Sequence, residues 1–455
     1  MPTPLYRFRL LSIMKLRHTM YAVALASVGL AALTISPAII AQEKAPENHL
    51  IADIQMFNRG ENRDGGLPDA EDVNSDRAAF IFGRARMSIA YQRPGLEVRT
   101  SFQHQGIWGQ AGKGSFSIHE AWAKLNTRSG LFLQVGRMVL AYDDERILGP
   151  NDWSMAGITH DVLKGGYEGH GHKVHTIWAY NQNAENTITG STYYADGALP
   201  YKTMQMLWYH YDLPVAPLGV SLLGLNIGMQ AGFPGEDEHV AWQQVVGGYF
   251  KFHPDRWSVE GSYYKQMGIN ENNVRLDAWM ASFKAKFTPA PVWTFYAGYD
   301  FLSGDETFAV PKPGSIGLTH HEVLRGFNPI YGSHHKFYGA MDFFYVSTYV
   351  NGFTPGLQNA FAGTTIKPIP NLSADFSYHY LAIAAKLQNI GPTLGHEFEM
   401  EASWQFTKYA SVSCGVSYMF GTENMQRLKR ASQDGRLFWS WLSLALTPRI
   451  LNHSW

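Results

Sequence analysis

Cysteine is nearly absent. Cys414 is the only one in 455 residues, which excludes a disulfide framework, a paired-cysteine metal site and a redox dithiol. Charged residues make up 16% of the chain, against roughly 25% in soluble domains, too few to cover the surface of an ordinary soluble protein of this length. The two signs nearly cancel, at a net charge of -1, which argues against a nucleic-acid binder, since that would need a basic face to meet phosphate. After Ala41 no uninterrupted apolar run reaches the roughly 20 residues of a membrane-spanning helix. If the chain crosses a membrane, it does so with strands. What is abundant is glycine and aromatic side chain, with 44 glycines, 24 tyrosines and 13 tryptophans, a composition suited to turns and to interfacial girdles.

The N-terminus reads as an export signal. Lys15 and Arg17 follow Met14, residues 21–35 form an apolar stretch of signal-core length, and Ala41 supplies the small residue before a cleavage site. The expected division is a signal over 1–41, with Met14 as the true start, and a barrel over 42–455. A mature chain of about 410 residues exceeds the usual size of one solid soluble core. A transmembrane barrel needs no such core, because its apolar surface faces lipid and its interior stays wet.

The body of the chain alternates with period two, the pattern of a strand with unlike faces. Phe80, Phe82, Arg84, Arg86, Ser88 and Gln92 share one face, and Ala79, Ile81, Ala85, Met87, Ile89 and Tyr91 the other. Glu97, Arg99, Ser101, Gln103 and Gln105 likewise oppose Leu96, Val98, Thr100 and Phe102. Near the C-terminus Glu397, Glu399, Glu401, Ser403 and Gln405 oppose Phe398, Met400, Ala402, Trp404 and Phe406. A soluble sandwich has the same period, so connection lengths decide. Short turns at 93–95, 127–130, 169–171, 213–217, 253–256, 288–291, 367–371 and 408–410 alternate with longer, polar connections, the longest at 60–77, 142–157, 183–201, 304–354 and 421–436. Tight turns at one end and long loops at the other predict an all-β, antiparallel transmembrane β-barrel of about 18 strands. That count leaves the strand-like tract 337–349 inside a long connection, and closes the terminal strand 437–446 on a first strand near 50–57. The connection 304–354 is far longer than most and rich in aromatic residues. It is expected to fold inward or over the mouth and to limit passage.

The segment GRMVLAYDDERILGPNDW, residues 136–153, resembles the family of alginate-export outer-membrane porins. Gly136, Arg137, Asp144, Glu145, Arg146, Gly149, Trp153, Asp161 and Lys164 stand at the family's motif positions, with Met138 and Asp143 replacing its usual glutamine and glycine. GHEFEMEASWQFTKYASVSCGVSYMFGTENM, residues 395–425, resembles its closing strand pair, and KFYGAMDFFYV, residues 336–346, is a third similar tract. The resemblance implies an 18-stranded barrel in the bacterial outer membrane, inserted by the barrel-assembly machinery. It does not carry alginate over as this chain's own substrate.

A conduit for an anionic saccharide would line its lumen with cations. Candidates on the polar registers are Arg84, Arg86, Arg99, Lys124, Arg137, Lys164, Lys265 and Lys284, opposed by Glu97, Glu120, Glu168, Glu260, Asp375, Glu397, Glu399 and Glu401. Of these, Arg84, Arg86, Arg99, Lys124, Arg137, Lys164, Glu397, Glu399 and Glu401 are the expected pore-lining and substrate residues. Opposed charges also pair across neighbouring strands for purely structural reasons. His170, His172 and His175, and His320, His321, His334 and His335, cluster without the spacing of a zinc motif, so neither metal nor cofactor is expected. Glu397 and Glu399 lie two apart on one face as a glycosidase pair could, but a charged wall accounts for them and no nucleophile motif is present. The expectation is a non-enzymatic channel for a polar or saccharide solute, either a general porin or a pathway for an anionic saccharide. The alternative is a closed structural or adhesive barrel that binds a partner through its loops.

Overall fold

The computed structural model describes residues 48–64, 77–110, 112–182, 201–233, 236–306, 323–342, 354–429 and 436–455. The signal region 1–41 lies outside the described residues. The strands are β1 (His49–Asp64), β2 (Ala78–Arg93), β3 (Leu96–Ile107), β4 (Ser115–Asn126), β5 (Leu131–Met138), β6 (His160–Gly169) and β7 (His172–Tyr180). There follow β8 (Thr203–Asp212), β9 (Leu218–Ala231), β10 (His239–Phe252), β11 (Trp257–Ile269), β12 (Arg275–Ala290), β13 (Trp293–Leu302) and the two-residue β14 (Val323–Leu324). The series ends with β15 (Leu357–Ile369), β16 (Leu372–Ala382), β17 (Thr393–Thr407), β18 (Ala410–Gly421), β19 (Arg436–Leu446) and β20 (Arg449–Ser454).

Each crossing pairs antiparallel with the next, β13 pairs directly with β15, and β1 pairs with both β19 and β20. β19 and β20 are two parts of one crossing, broken at Thr447 and Pro448, and β14 is a short parallel addition to β12. The result is a closed barrel of 18 strands. Closure leaves no open edge, which is how a sheet satisfies every backbone group inside a bilayer. The seam is completed by Asn48 and Trp455, each donating its backbone N–H to the other's carbonyl, at 2.8 and 3.1 Å.

All eight expected short turns join consecutive strands. At Gly130 the tight return requires a φ of +91°, and a Cβ there would meet the Glu168 carbonyl at 2.3 Å, so glycine is dictated. Two boundaries differ from the sequence reading. β1 continues to Asp64 rather than ending at Gly60, because Glu61, Asn62 and Arg63 keep their partners on β2 and β19. The closing crossing continues past Leu446 to Ser454. Of the tract 337–349, residues 337–342 lie in the long connection and form no strand, and the rest falls outside the described residues.

The outward face is recognisable by its exposed apolar side chains, among them Ile81, Met87, Leu133, Leu207, Leu222, Phe283 and Phe398. Inward residues are covered wherever a connection folds against them.

Candidate pore and the loops that cross it

The connection 139–159 touches strands all around the barrel, which is possible only from within. Tyr142 Oη shares a hydrogen bond with His175 Nδ1 on β7 at 3.0 Å. Asp143 accepts from Trp208 Nε1 on β8 and from the Tyr264 hydroxyl on β11, at 3.1 and 3.3 Å. On the opposite wall Asp152 accepts from Arg84 at 2.9 and 3.0 Å and from Arg86 at 3.1 Å, both on β2. Trp153 is held between the Arg59 guanidinium of β1, 3.8 Å from its ring centre, and the His335 ring stacked at 3.8 Å. Trp439 and Trp441 of β19 meet it edge-on.

This loop docks as an apolar body with a polar fringe. Leu140, Ile147 and Leu148 are buried against Ile177, Met204, Met206, Leu223, Leu225 and Ile227, all inward residues of β7 to β9. At its centre Arg146, 4% exposed, bonds Asp144 at 2.9 Å, Asp300 of β13 at 2.7 Å and the Tyr338 hydroxyl at 3.0 Å, with Phe337 stacked 3.9 Å from its guanidinium. Burial works against the Arg146 charge, but Asp300 and its other partners outweigh it and hold the group above its ordinary range. Burial also raises the Asp144 carboxyl, with Arg146 opposing the rise, and raises Asp143, which its hydrogen-bond donors partly offset.

The connection expected to fold inward does meet this loop. Ser333 donates its backbone N–H to the Glu145 carbonyl at 2.9 Å, and Asn151 donates to Ser333 Oγ at 3.0 Å. Beyond Tyr338 the chain turns through Gly339, whose φ is +93°, and docks on β17. There Glu399 accepts the Ala340 N–H at 2.6 Å and Glu397 the Met341 N–H at 2.9 Å. From Asp300 a chain of bonds runs through Asn359 to His379, at 3.0 and 2.9 Å, and His379 lies 3.5 Å from Glu399. Two loops and four strands therefore share one network.

The structure sorts the expected lining residues into three groups. Arg84, Arg86, Glu397 and Glu399 hold the loops. Arg99 bonds Glu120 at 2.8 Å across the wall, as cross-strand pairing allows. Lys124 and Lys164 approach aromatic faces, Lys124 at 4.6 Å from the Phe132 ring and Lys164 at 5.3 Å from Tyr142, as does Lys284 at 4.7 Å from Tyr296. None of these three lysines forms an ion pair among the described residues. Glu401, exposed, continues the face of Glu397 and Glu399. Arg137 is a correction: it shares the parity of Leu131, Leu133 and Val135, which are exposed outward, and pairs there with Asp161 at 2.7 Å. Lys265 is likewise outward, paired with Asp277. The sequence reading missed the inward course of 139–159, although Leu140, Ile147 and Leu148 within a supposedly solvated loop were the signal. His320 and His321 lie outside the described residues. His175 and His335 are engaged with Glu168 and Asp342, at 2.9 and 2.7 Å.

No family model and no characterised protein matches this sequence. Solved structures do match. Pseudomonas aeruginosa OccK9 (OpdG) aligns with a TM-score of 0.58 at 14% identity, over 88% of this chain and 98% of that one. Acinetobacter baumannii OccAB1 gives 0.57 at 13%, over 88% and 97%, and Pseudomonas aeruginosa OprD 0.55 at 14%, over 88% and 96%. These are not alginate-export porins, so the motif resemblance in the sequence stands for a porin type of barrel rather than for that family. The chain has the closed, 18-stranded antiparallel fold of bacterial outer-membrane porins.

Proposed function

We propose that the protein is an outer-membrane channel for passive passage of a small anionic solute, with a saccharide acid as the leading candidate. The observation that carries this reading is the set Lys124, Lys164 and Lys284, inward cations that rest on aromatic rings and, although Glu97 and Glu260 face two of them across the strands, close no ion pair among the described residues. A cation not closed into an ion pair attracts anions into a wet lumen. Phe132 and Tyr142, both buried, hold two of them at the wall. Two loops joined across the lumen narrow it, which favours a small solute over a polymer such as alginate. One structural neighbour, Pseudomonas aeruginosa OpdK, was solved with vanillate, an aromatic carboxylate.

The test is the reversal potential of purified protein in a bilayer under a salt gradient. Anion preference that declines when all three lysines become glutamine supports the reading, and cation preference in the unaltered protein overturns it. The interlocked loops also suit a closed scaffold with an external partner. In that case no steady current would flow.

A further inference from the structure

Near the long-connection end, the outward face from β5 to β12 is polar where lipid is expected. Arg137 and Asp161 form a two-bond ion pair there, at 2.9 and 2.7 Å. Across β8, β9 and β10 runs a row of amides. Gln244 donates to Asn226 Oδ1 at 2.8 Å, Asn226 donates to Gln205 Oε1 at 2.8 Å, and Gln205 donates to Thr203 Oγ1 at 2.7 Å. Strand register places Gln205, Asn226, Gln244, Met267 and Asp277 in one line, with Lys265 bonded to Asp277 at its end. The row is outward, because Leu207, Leu222, Val246 and Met267 on the same parity are exposed.

Depth makes this costly. Gln205 is six residues above Tyr211 of the short-turn girdle, about 15 Å along the membrane normal at the usual strand rise and tilt, inside an apolar band of about 25 Å. On β10 the exposed Trp242 lies beyond Gln244, so the band continues past the row. Each amide nitrogen carries a second hydrogen, and acyl chains accept none. Beside the row, a Cβ built on Gly224 would meet nothing within 4 Å, leaving a notch.

We propose that this face packs against the same face of a second copy of the chain, about a two-fold axis. Amides both donate and accept, so the row is complementary to itself under such an axis. Within the row the charges are paired, Arg137 with Asp161 and Lys265 with Asp277, while Arg275, exposed on the same parity of β12, stands one step nearer the long-connection end.

The experiment uses the full chain in outer membranes, with Cys414→Ala as background. Asn226→Cys is treated with a short bismaleimide beside Phe295→Cys, an outward control 47% exposed on β13. Cross-linking to twice the chain mass at Asn226→Cys, with little at the control, is expected. The double variant Asn226→Leu, Gln244→Leu should then shift the native mass from dimer to monomer while keeping the unheated-gel shift of a folded barrel. Equal cross-linking at both sites, or a monomer mass with the Asn226→Cys thiol open to a lipid-soluble maleimide, overturns the proposal. If the leucine variant fails to fold, the cysteine comparison alone decides.

Discussion

Arg146 donates through Nη2 to Asp300 Oδ1 at 2.7 Å, joining the first inward loop to the wall at β13 with both side chains buried, 4% and 1% exposed. Removing one partner of a buried pair strands the other charge, at a cost of roughly 3–5 kcal/mol. Because the pair ties a loop rather than the strands, the barrel should survive. Arg146→Ala is expected to give larger, noisier single-channel conductance with an unchanged unheated-gel shift. Wild-type conductance in that variant would show that other contacts hold the loop.

Gly339 sits where the second loop turns onto β17, at φ +93°, and a Cβ there would lie 2.4 Å from Glu397 Oε2. Backbone strain alone costs about 1–2 kcal/mol for alanine in this region. Gly339→Ala should therefore loosen residues 339–341, read as faster amide exchange at Ala340 and Met341. Protection equal to wild type would mean that Glu397 does not fix the turn.

His334 ties docking to pH. Burial lowers its imidazole from 6.5 to about 4, so the docked loop keeps it neutral. Undocked, it takes a proton below about pH 6.5, so docking weakens as pH falls from 6.5 towards 4 and is unaffected above 7. Conductance should rise over that window in wild type and less in His334→Gln. A flat profile between pH 7 and 5 would refute the assignment.

The lysines act at longer range. Single changes of Lys124, Lys164 or Lys284 to glutamine should each move the reversal potential part of the way, and all such shifts should shrink in 1 M salt, where screening reaches only about 3 Å. Shifts that persist at high salt would point to altered loop packing instead.

Most of the barrel was legible because lipid outside and water inside write a period of two, as in β2, β3 and β17. The pattern gives no such guidance where that contrast reverses. In β8 and β9 the apolar set Met204, Met206, Leu223, Leu225 and Ile227 faces inward, since the docked loop supplies an apolar core there, while Gln205 and Asn226 face out. Arg137 was placed by its charge against the parity of Leu133 and Val135. Glu397 and Glu399 were legible as inward carboxylates, but not as acceptors for a loop about 60 residues earlier, since no local pattern encodes a partner so far away.

The partners that fix Arg146 lie 154 residues away at Asp300 and 192 away at Tyr338, and the barrel seam joins residues 407 apart. Contacts so distant along the chain form late. While the first strands fold, the loop 139–159 has neither its latch nor an enclosed lumen to enter. Its apolar residues Leu140, Ile147 and Leu148 can rest on β7 to β9 as soon as those strands form, but the Arg146 latch waits for strands well over a hundred residues downstream. The loop is therefore seated before it is locked: its apolar face has a wall to lie on early, and its polar latch closes only when the last third of the sheet is in place.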